Sequence, residues 1–234
     1  MMEYADSHLH PRGADYPGSE SASLLSVCAA QFSDWETISE MNDPRIVRSY
    51  GVHPWYSESW TDGSVDRLRE VLEKDPKANV GEIGLDEAKG PSMVEQARCF
   101  EEQFMLASEL GRTVSIHSVR TENYVLAAVK RNRKGCRAVV LHSFMGPANY
   151  VQSFAKHDCY FSISLRMLNK QESVAKAILE PIPKDRLLIE TDSPDSGPNL
   201  VSAEDFISKI ASLLSMDAAE LASITLENAE RAFR

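Results

Sequence analysis

Eight short apolar runs, most of them followed by a segment of helical period, predict that this chain of 234 residues is an α/β protein folded as a TIM (β/α)8 barrel. Its length lies close to the roughly 250 residues typical of such barrels. A third observation is the lack of any division: there is no Pro/Gly/Ser linker, internal repeat or shift in composition, so residues 1–234 are expected to form one domain. The doubly wound open sheet is the runner-up, because the same βαβ grammar builds both.

The strand candidates are residues 3–7, 24–30, 46–52, 79–83, 113–117, 137–142, 159–164 and 187–191. They are short and rich in Val, Ile, Leu and Tyr, as strands buried on both faces should be. Helices are predicted over 33–41 and over 64–73, the latter running to the breaker Asp75-Pro76. The clearest covers 92–110, where Val94, Ala97, Phe100, Phe104 and Ala107 recur at helical spacing and Gly111 closes the segment. Further helices are expected over 122–131, 147–156, 170–179, 203–214 and 217–233. One unit is irregular. Between His10 and Leu24 there are too few residues, and too many of Gly, Pro and Ser, for a helix, so the first βα connection is predicted to be a shortened loop.

Composition removes several classes of function. With 43% hydrophobic and 26% charged residues the chain is neither disordered nor of low complexity. No run approaches the roughly 18 apolar residues of a membrane span, and the N-terminus lacks the basic and apolar regions of a secretory signal. Cys28, Cys99, Cys136 and Cys159 are scattered without metal-ribbon or redox spacing, which suits a reduced, cytoplasmic protein. The formal charge of −10 is the wrong sign for a module that coats nucleic acid. It leaves room for an enzyme that meets a phosphodiester through bound metal ions. No feature specifies an oligomeric state.

The residues that carry chemistry fall at corresponding places. His8 and His10 follow the first predicted strand, His53 the third and Glu82 the fourth; His117 ends the fifth, His142 ends the sixth, and Asp192 follows the eighth. All strand C-termini of a parallel barrel open on one face, so these seven groups converge on one rim. Singly, each has a bland reading as a turn residue, a helix cap or a satisfied core histidine. Together those readings leave unexplained why five of six histidines stand at strand ends. Residues i and i+2 of an extended segment share a side, so His8 and His10 reach one ion, with Asp6 behind them to orient a ligand. Glu82 stands between glycines that leave room for close approach, which suits a carboxylate bridging two ions. Nitrogen and carboxylate donors without thiolates suit Zn²⁺, Mn²⁺ or Fe²⁺, and Mg²⁺ at a carboxylate-rich position.

The chain resembles the TatD family of metal-dependent deoxyribonucleases, within the amidohydrolase-like barrels, over nearly its whole length. The resemblance rests on Asp6-Ser7-His8-Leu9-His10, Gly51-Val52-His53-Pro54, Gly81-Glu82-Ile83-Gly84-Leu85-Asp86, Ser115-Ile116-His117-Ser118-Val119-Arg120, Leu141-His142-Ser143-Phe144-Met145-Gly146 and Ile189-Glu190-Thr191-Asp192-Ser193-Pro194, with a similar closing helix at residues 224–233. It implies a site for two divalent ions (Zn, Mn or Mg). His8, His10 and Asp192 would hold one, His117 and His142 the other, and Glu82 would bridge them. His53 would touch the substrate phosphate. Three loops depart from the family: the one after His10 is short, Glu87-Ala88-Lys89-Gly90 replaces an aromatic stretch, and Asp195-Ser196-Gly197-Pro198 is abbreviated.

The function expected is a deoxyribonuclease that trims single-stranded or frayed DNA from an end. Glu82, Asp192 and His53 form its catalytic set, with Asp192 taking the proton of the attacking water. His53 and Arg120 are the expected phosphate contacts, and Arg12 and Arg166 are candidate contacts to the nucleic-acid backbone. Trp55 and Tyr56 either stack on a terminal base or pack their loop over the barrel. Two other readings compete: an amide or ester hydrolase, including a nucleotide-linked ester deacylase, and a catalytically silent metal-binding partner.

Overall fold

The computed structural model describes residues 2–11, 19–194 and 201–234. Eight parallel strands pair in chain order and form a nearly closed barrel. They are β1 (Ala5–Leu9), β2 (Leu24–Cys28), β3 (Ile46–Tyr50), β4 (Asn79–Asp86), β5 (Val114–Val119), β6 (Val139–Leu141), β7 (Tyr160–Ile163) and β8 (Leu187–Ile189). The helices are α1 (Phe32–Glu40), α2 (Ser64–Lys74), α3 (Met93–Glu109), α4 (Glu122–Asn132), α5 (Ala148–Ala155), α6 (Glu172–Leu179), α7 (Ala203–Leu213) and α8 (Ala218–Phe233). As expected, the described residues between β1 and β2 form no helix. No helix among the described residues is long and apolar enough to cross a membrane, and all four cysteines are free and buried.

Local chemistry explains the helix boundaries. Ser92 accepts from the backbone N–H of Glu95 while Glu95 reaches back to Ser92, so the longest helix, α3, begins on a capping box. Asp217 caps α8 by accepting from Ala219 and Glu220. Asn79 and Arg137 donate to the carbonyl of Phe233 near the C-terminal end of α8, and Asn228 donates to that of Leu187. Ala229, Ala232 and Phe233 pack there against Ala5, Leu24, Val47 and Leu188, near the starts of the strands. This seals the N-terminal end of the barrel. The polar groups gather at the other end.

Closure and chemistry coincide at the first and last strands. The backbone N–H of His10 donates to Ser193 at 2.9 Å, and that of Asp192 donates to His8 at 3.0 Å. Asp192 is thereby placed beside His8, in β1, and His10, just beyond it.

The strand lengths need correction. β4 and β5 are longer than the apolar runs indicated, so Glu82 and His117 lie within strands rather than at their ends. The pairing of β4 with β5 shifts register between Val80 and Ile83, which re-aims the Glu82 side chain. Gly81 and Gly84 also allow β4 to approach β5 closely. A Cβ on Gly84 would stand 2.0 Å from the His117 carbonyl oxygen, and φ there is +147°.

Candidate metal-binding active site

Glu82 is the centre of the site. Its buried carboxylate is met by five imidazoles: Oε2 lies 3.3 Å from His8 Nε2 and 3.4 Å from His10 Nε2. Oε1 lies 3.0 Å from His117 Nδ1, 3.4 Å from His53 Nε2 and 3.6 Å from His142 Nε2. Asp192 Oδ1 stands 3.8 Å from His142 Nε2 and 3.9 Å from His10 Nε2. All seven rim residues expected from the sequence are therefore brought together.

The outward-facing nitrogen of each ring tells which atom is left for a ligand. His10 Nδ1 donates to the Cys28 carbonyl at 3.0 Å, leaving Nε2 towards Glu82 and Asp192. His117 Nε2 donates to Asp86 Oδ2 at 3.1 Å, leaving Nδ1 towards Glu82. His142 Nδ1 lies 2.9 Å from Glu190 Oε1, and Nε2 faces inward. His53 is the opposite case. Its Nδ1 accepts the backbone N–H of Trp55 at 3.1 Å, so the neutral ring carries its proton on Nε2 and offers a donor, not a lone pair, to the site. This matters because the ligand atoms of His53, Glu82 and His117 lie within 4.8 Å of one another, as do those of His8, His10 and Glu82 and those of His8, His142 and Glu190. Proximity alone would make His53 a metal ligand; its hydrogen bond argues for a donor.

Electrostatics agrees with a cation site. Burial pushes the Glu82 carboxyl up, yet the imidazoles, His53 and His142 foremost, outweigh it and hold Glu82 well below the usual carboxylate range. Burial lowers His10 and His117, but the facing carboxylates reverse the effect and both are pushed up to about 9. Burial takes His142 down to about 4 and also lowers His8 and His53. It raises Asp192, and raises Glu190 to about 7. The donor set fits divalent ions. His8 Nε2 is buried without a hydrogen-bond partner, and no cluster of described residues adds a thiol.

The cleft, of about 70 Å³, is lined by Trp55, Tyr56 and Arg166 besides the ionisable core. Trp55 and Tyr56 stand on a 3₁₀ turn, Pro54–Ser59, that periodicity does not reveal. Arg120 is not among these residues. It follows β5 with φ +58°, is exposed and does not line the cleft. Asp6 accepts from the backbone N–H of His8 at 3.3 Å as well as from Thr191 and Ser19, so it meets the candidate ligand His8 through the backbone. Arg12 and the segment Asp195-Ser196-Gly197-Pro198 lie outside the described residues.

Asp86 and Glu190 are residues of the site to which the sequence reading assigns no role. The signal was present, since Asp86 is four residues from Glu82 and Glu190 two from Asp192, spacings that repeat one face of extended backbone.

The family described as TatD related DNase matches residues 6–234. The uncharacterized metal-dependent hydrolase YabD of Bacillus subtilis is 32% identical over 201 residues, covering 81% of this chain and 78% of its own. A protein of Erwinia tasmaniensis named 3'-5' ssDNA/RNA exonuclease TatD is 31% identical over 197 residues, 78% of this chain and 76% of that one. Among solved structures, the TatD homologue YjjV of Escherichia coli superposes with a TM-score of 0.85 at 25% identity, over 98% of this chain and 97% of that chain. The chain belongs to the family of TatD-related DNases.

Proposed function

We propose that this protein is a metal-dependent phosphodiesterase that removes nucleotides from the ends of single-stranded or frayed DNA. The observation that carries the reading is the single buried carboxylate, Glu82, surrounded by imidazole nitrogens with Asp192 beside them. Relatives named exonucleases and metal-dependent hydrolases support it.

His8, His10 and Asp192 would hold one divalent ion and His117 and His142 a second, with Glu82 available to both; Zn, Mn and Mg suit these donors. Such ions supply Lewis-acid polarisation of the attacked ester and bring the pKa of water towards neutrality. Asp192, its basicity raised by burial, would accept the proton released as water attacks phosphorus, while the ester P–O bond breaks and the departing sugar oxygen takes up a proton to leave as a hydroxyl. His53 donates its Nε2–H to a non-bridging phosphate oxygen. Asp86 orients His117 from behind by a hydrogen bond, and Glu190 faces Nδ1 of His142 at 2.9 Å. Trp55 and Tyr56 wall the cleft beside His53.

A cleft of about 70 Å³ also admits a small carboxylic ester or amide, the competing reading. Purified protein is chelated, reloaded with Zn, Mn or Mg, and assayed on end-labelled single-stranded DNA beside ester and amide panels. The reading expects DNA cleavage to vanish with chelation and return with metal. Turnover confined to carboxylic esters or amides, or none with metal bound, contradicts it.

A further inference from the structure

Arg166 has a position that the metal chemistry does not account for. Its guanidinium Nη2 lies 3.2 Å from Asp192 Oδ2, the oxygen turned away from the imidazoles, while Oδ1 faces His10 and His142. The Asp192 side chain is 4% exposed, whereas that of Arg166 is 45% exposed. The arginine therefore reaches from the mouth of the cleft down to the buried acid. Among the described residues that line this cleft, Arg166 is the one Lys or Arg.

The backbone beneath it is firm. Arg166 sits on a single 3₁₀ turn, Leu165–Asn169, that follows β7. Leu165 and Met167 on either side are buried, and the Met167 N–H donates to the Ser164 carbonyl at 2.9 Å. The Ser164 hydroxyl lies 2.7 Å from that of Ser143, which ties the turn to the segment after β6. With both neighbours anchored in the core, the Arg166 side chain is the part of the turn that projects into the cleft. A guanidinium carries five N–H donors in a planar fork suited to carboxylate or phosphate oxygens. Its contact with Asp192 uses one terminal nitrogen.

We propose that Arg166 is the phosphate anchor of this site and selects anionic phosphoryl esters over neutral carboxylic esters and amides. This rests on the phosphodiesterase reading above. In the free protein Arg166 holds Asp192 Oδ2. When substrate enters, a non-bridging phosphate oxygen competes for the same guanidinium, and the fork turns part or all of its donors to the phosphate. No bond is made or broken in this exchange. It gives a chain of charge −10 a fixed cation where a phosphate must dock. A neutral acyl substrate offers the guanidinium no charged oxygen.

The test compares wild type, Arg166→Lys and Arg166→Ala, each reloaded with the same metal and checked for metal content. Two quantities are read: affinity for inorganic phosphate by calorimetry, and KM and kcat on end-labelled single-stranded DNA. Loss of a charge-assisted pair is expected to weaken phosphate binding and raise KM by about 10- to 100-fold in Arg166→Ala, with kcat changed far less. Arg166→Lys, which keeps the charge without the fork, should fall between. Metal content should be unchanged. Equal phosphate affinity in wild type and Arg166→Ala overturns the proposal. So does a rise in KM that follows loss of metal, because Arg166 would then only support Asp192. A wild-type protein that binds phosphate through Arg166 yet cleaves no DNA overturns the nuclease reading and leaves the anchor standing.

Discussion

The carboxylate of Asp86 stands 3.1 Å from Nε2 of His117 and 2.7 Å from the indole Nε1 of Trp55, so one acid orients both an inward-facing imidazole and a wall of the cleft. Its other oxygen accepts from the N–H groups of Ala88 and Lys89, which folds the loop after β4. Glu87-Ala88-Lys89-Gly90, the loop that departs from the family's aromatic stretch, is thus built on the acid that sets the His117 tautomer. Lys89 Nζ rests 3.5 Å from the centre of a Trp55 ring, which joins that loop to the cleft.

Asp86→Asn should therefore damage the metal site without unfolding the barrel. An amide that keeps its oxygen on the loop side turns an NH₂ group towards two N–H donors, His117 and Trp55. His117 then loses the acceptor that holds its tautomer. Affinity for one of the two ions should fall by about 10- to 100-fold, the usual cost of removing such a partner. Metal titration with a competing chelator checks this; unchanged affinity for both ions contradicts it.

Gly84→Ala tests the strand packing beneath the site. The added Cβ would lie 2.0 Å from the His117 carbonyl oxygen on a residue with φ +147°. Parting β4 and β5 by the ångström or more required should cost at least about 2–3 kcal/mol, in the range of severe backbone or core disruption. Urea unfolding of the metal-free protein should show the loss, and a midpoint equal to wild type would exclude this role for Gly84.

Metal uptake should release protons. His10 and His117 are raised to about 9 by their carboxylate partners, so both are protonated at pH 7.5 before metal enters. Ligation needs their neutral forms, so about two protons leave and apparent affinity climbs as pH rises towards 9. Stability of the metal-free chain has the opposite trend. Histidines whose pKa is raised on folding stabilise fully below about 6.5, and that contribution is lost as pH rises through 9. Calorimetry at pH 7.5 in buffers of different ionisation enthalpy measures the release. Heats that do not depend on buffer would show that these rings are neutral beforehand.

Asp192→Asn separates ligation from proton transfer. The amide retains an oxygen for an ion but accepts the water's proton poorly, so turnover should fall by about 10²- to 10⁴-fold with metal content near that of wild type. Hydrolysis that survives the substitution with both ions bound would assign the proton to another group.

Much of this site was legible because it is built from residue types with few competing roles at strand ends. His8, His10, His53, Glu82, His117, His142 and Asp192 all converge. The shortened first connection was readable from the Gly, Pro and Ser content between His10 and Leu24. Strand length was harder to read. The apolar runs end at Ile83 and His117, although pairing and packing carry β4 on to Asp86 and β5 on to Val119. Arginines were hardest. Arg120 and Arg166 each follow a strand, read alike and are both exposed, but Arg166 lines the cleft and reaches Asp192 while Arg120 does not line it. That distinction is tertiary and has no periodicity to announce it.

The central claim, that Glu82 is shared by two divalent ions, is tested most directly by anomalous diffraction from crystals grown with excess Mn²⁺. The account predicts two peaks flanking the Glu82 carboxylate, one touching Nε2 of His8 and His10 together with Asp192, the other touching His117 Nδ1 and His142 Nε2. A map with no peak within ligand distance of Glu82, and those nitrogens bonded only to protein, would contradict it.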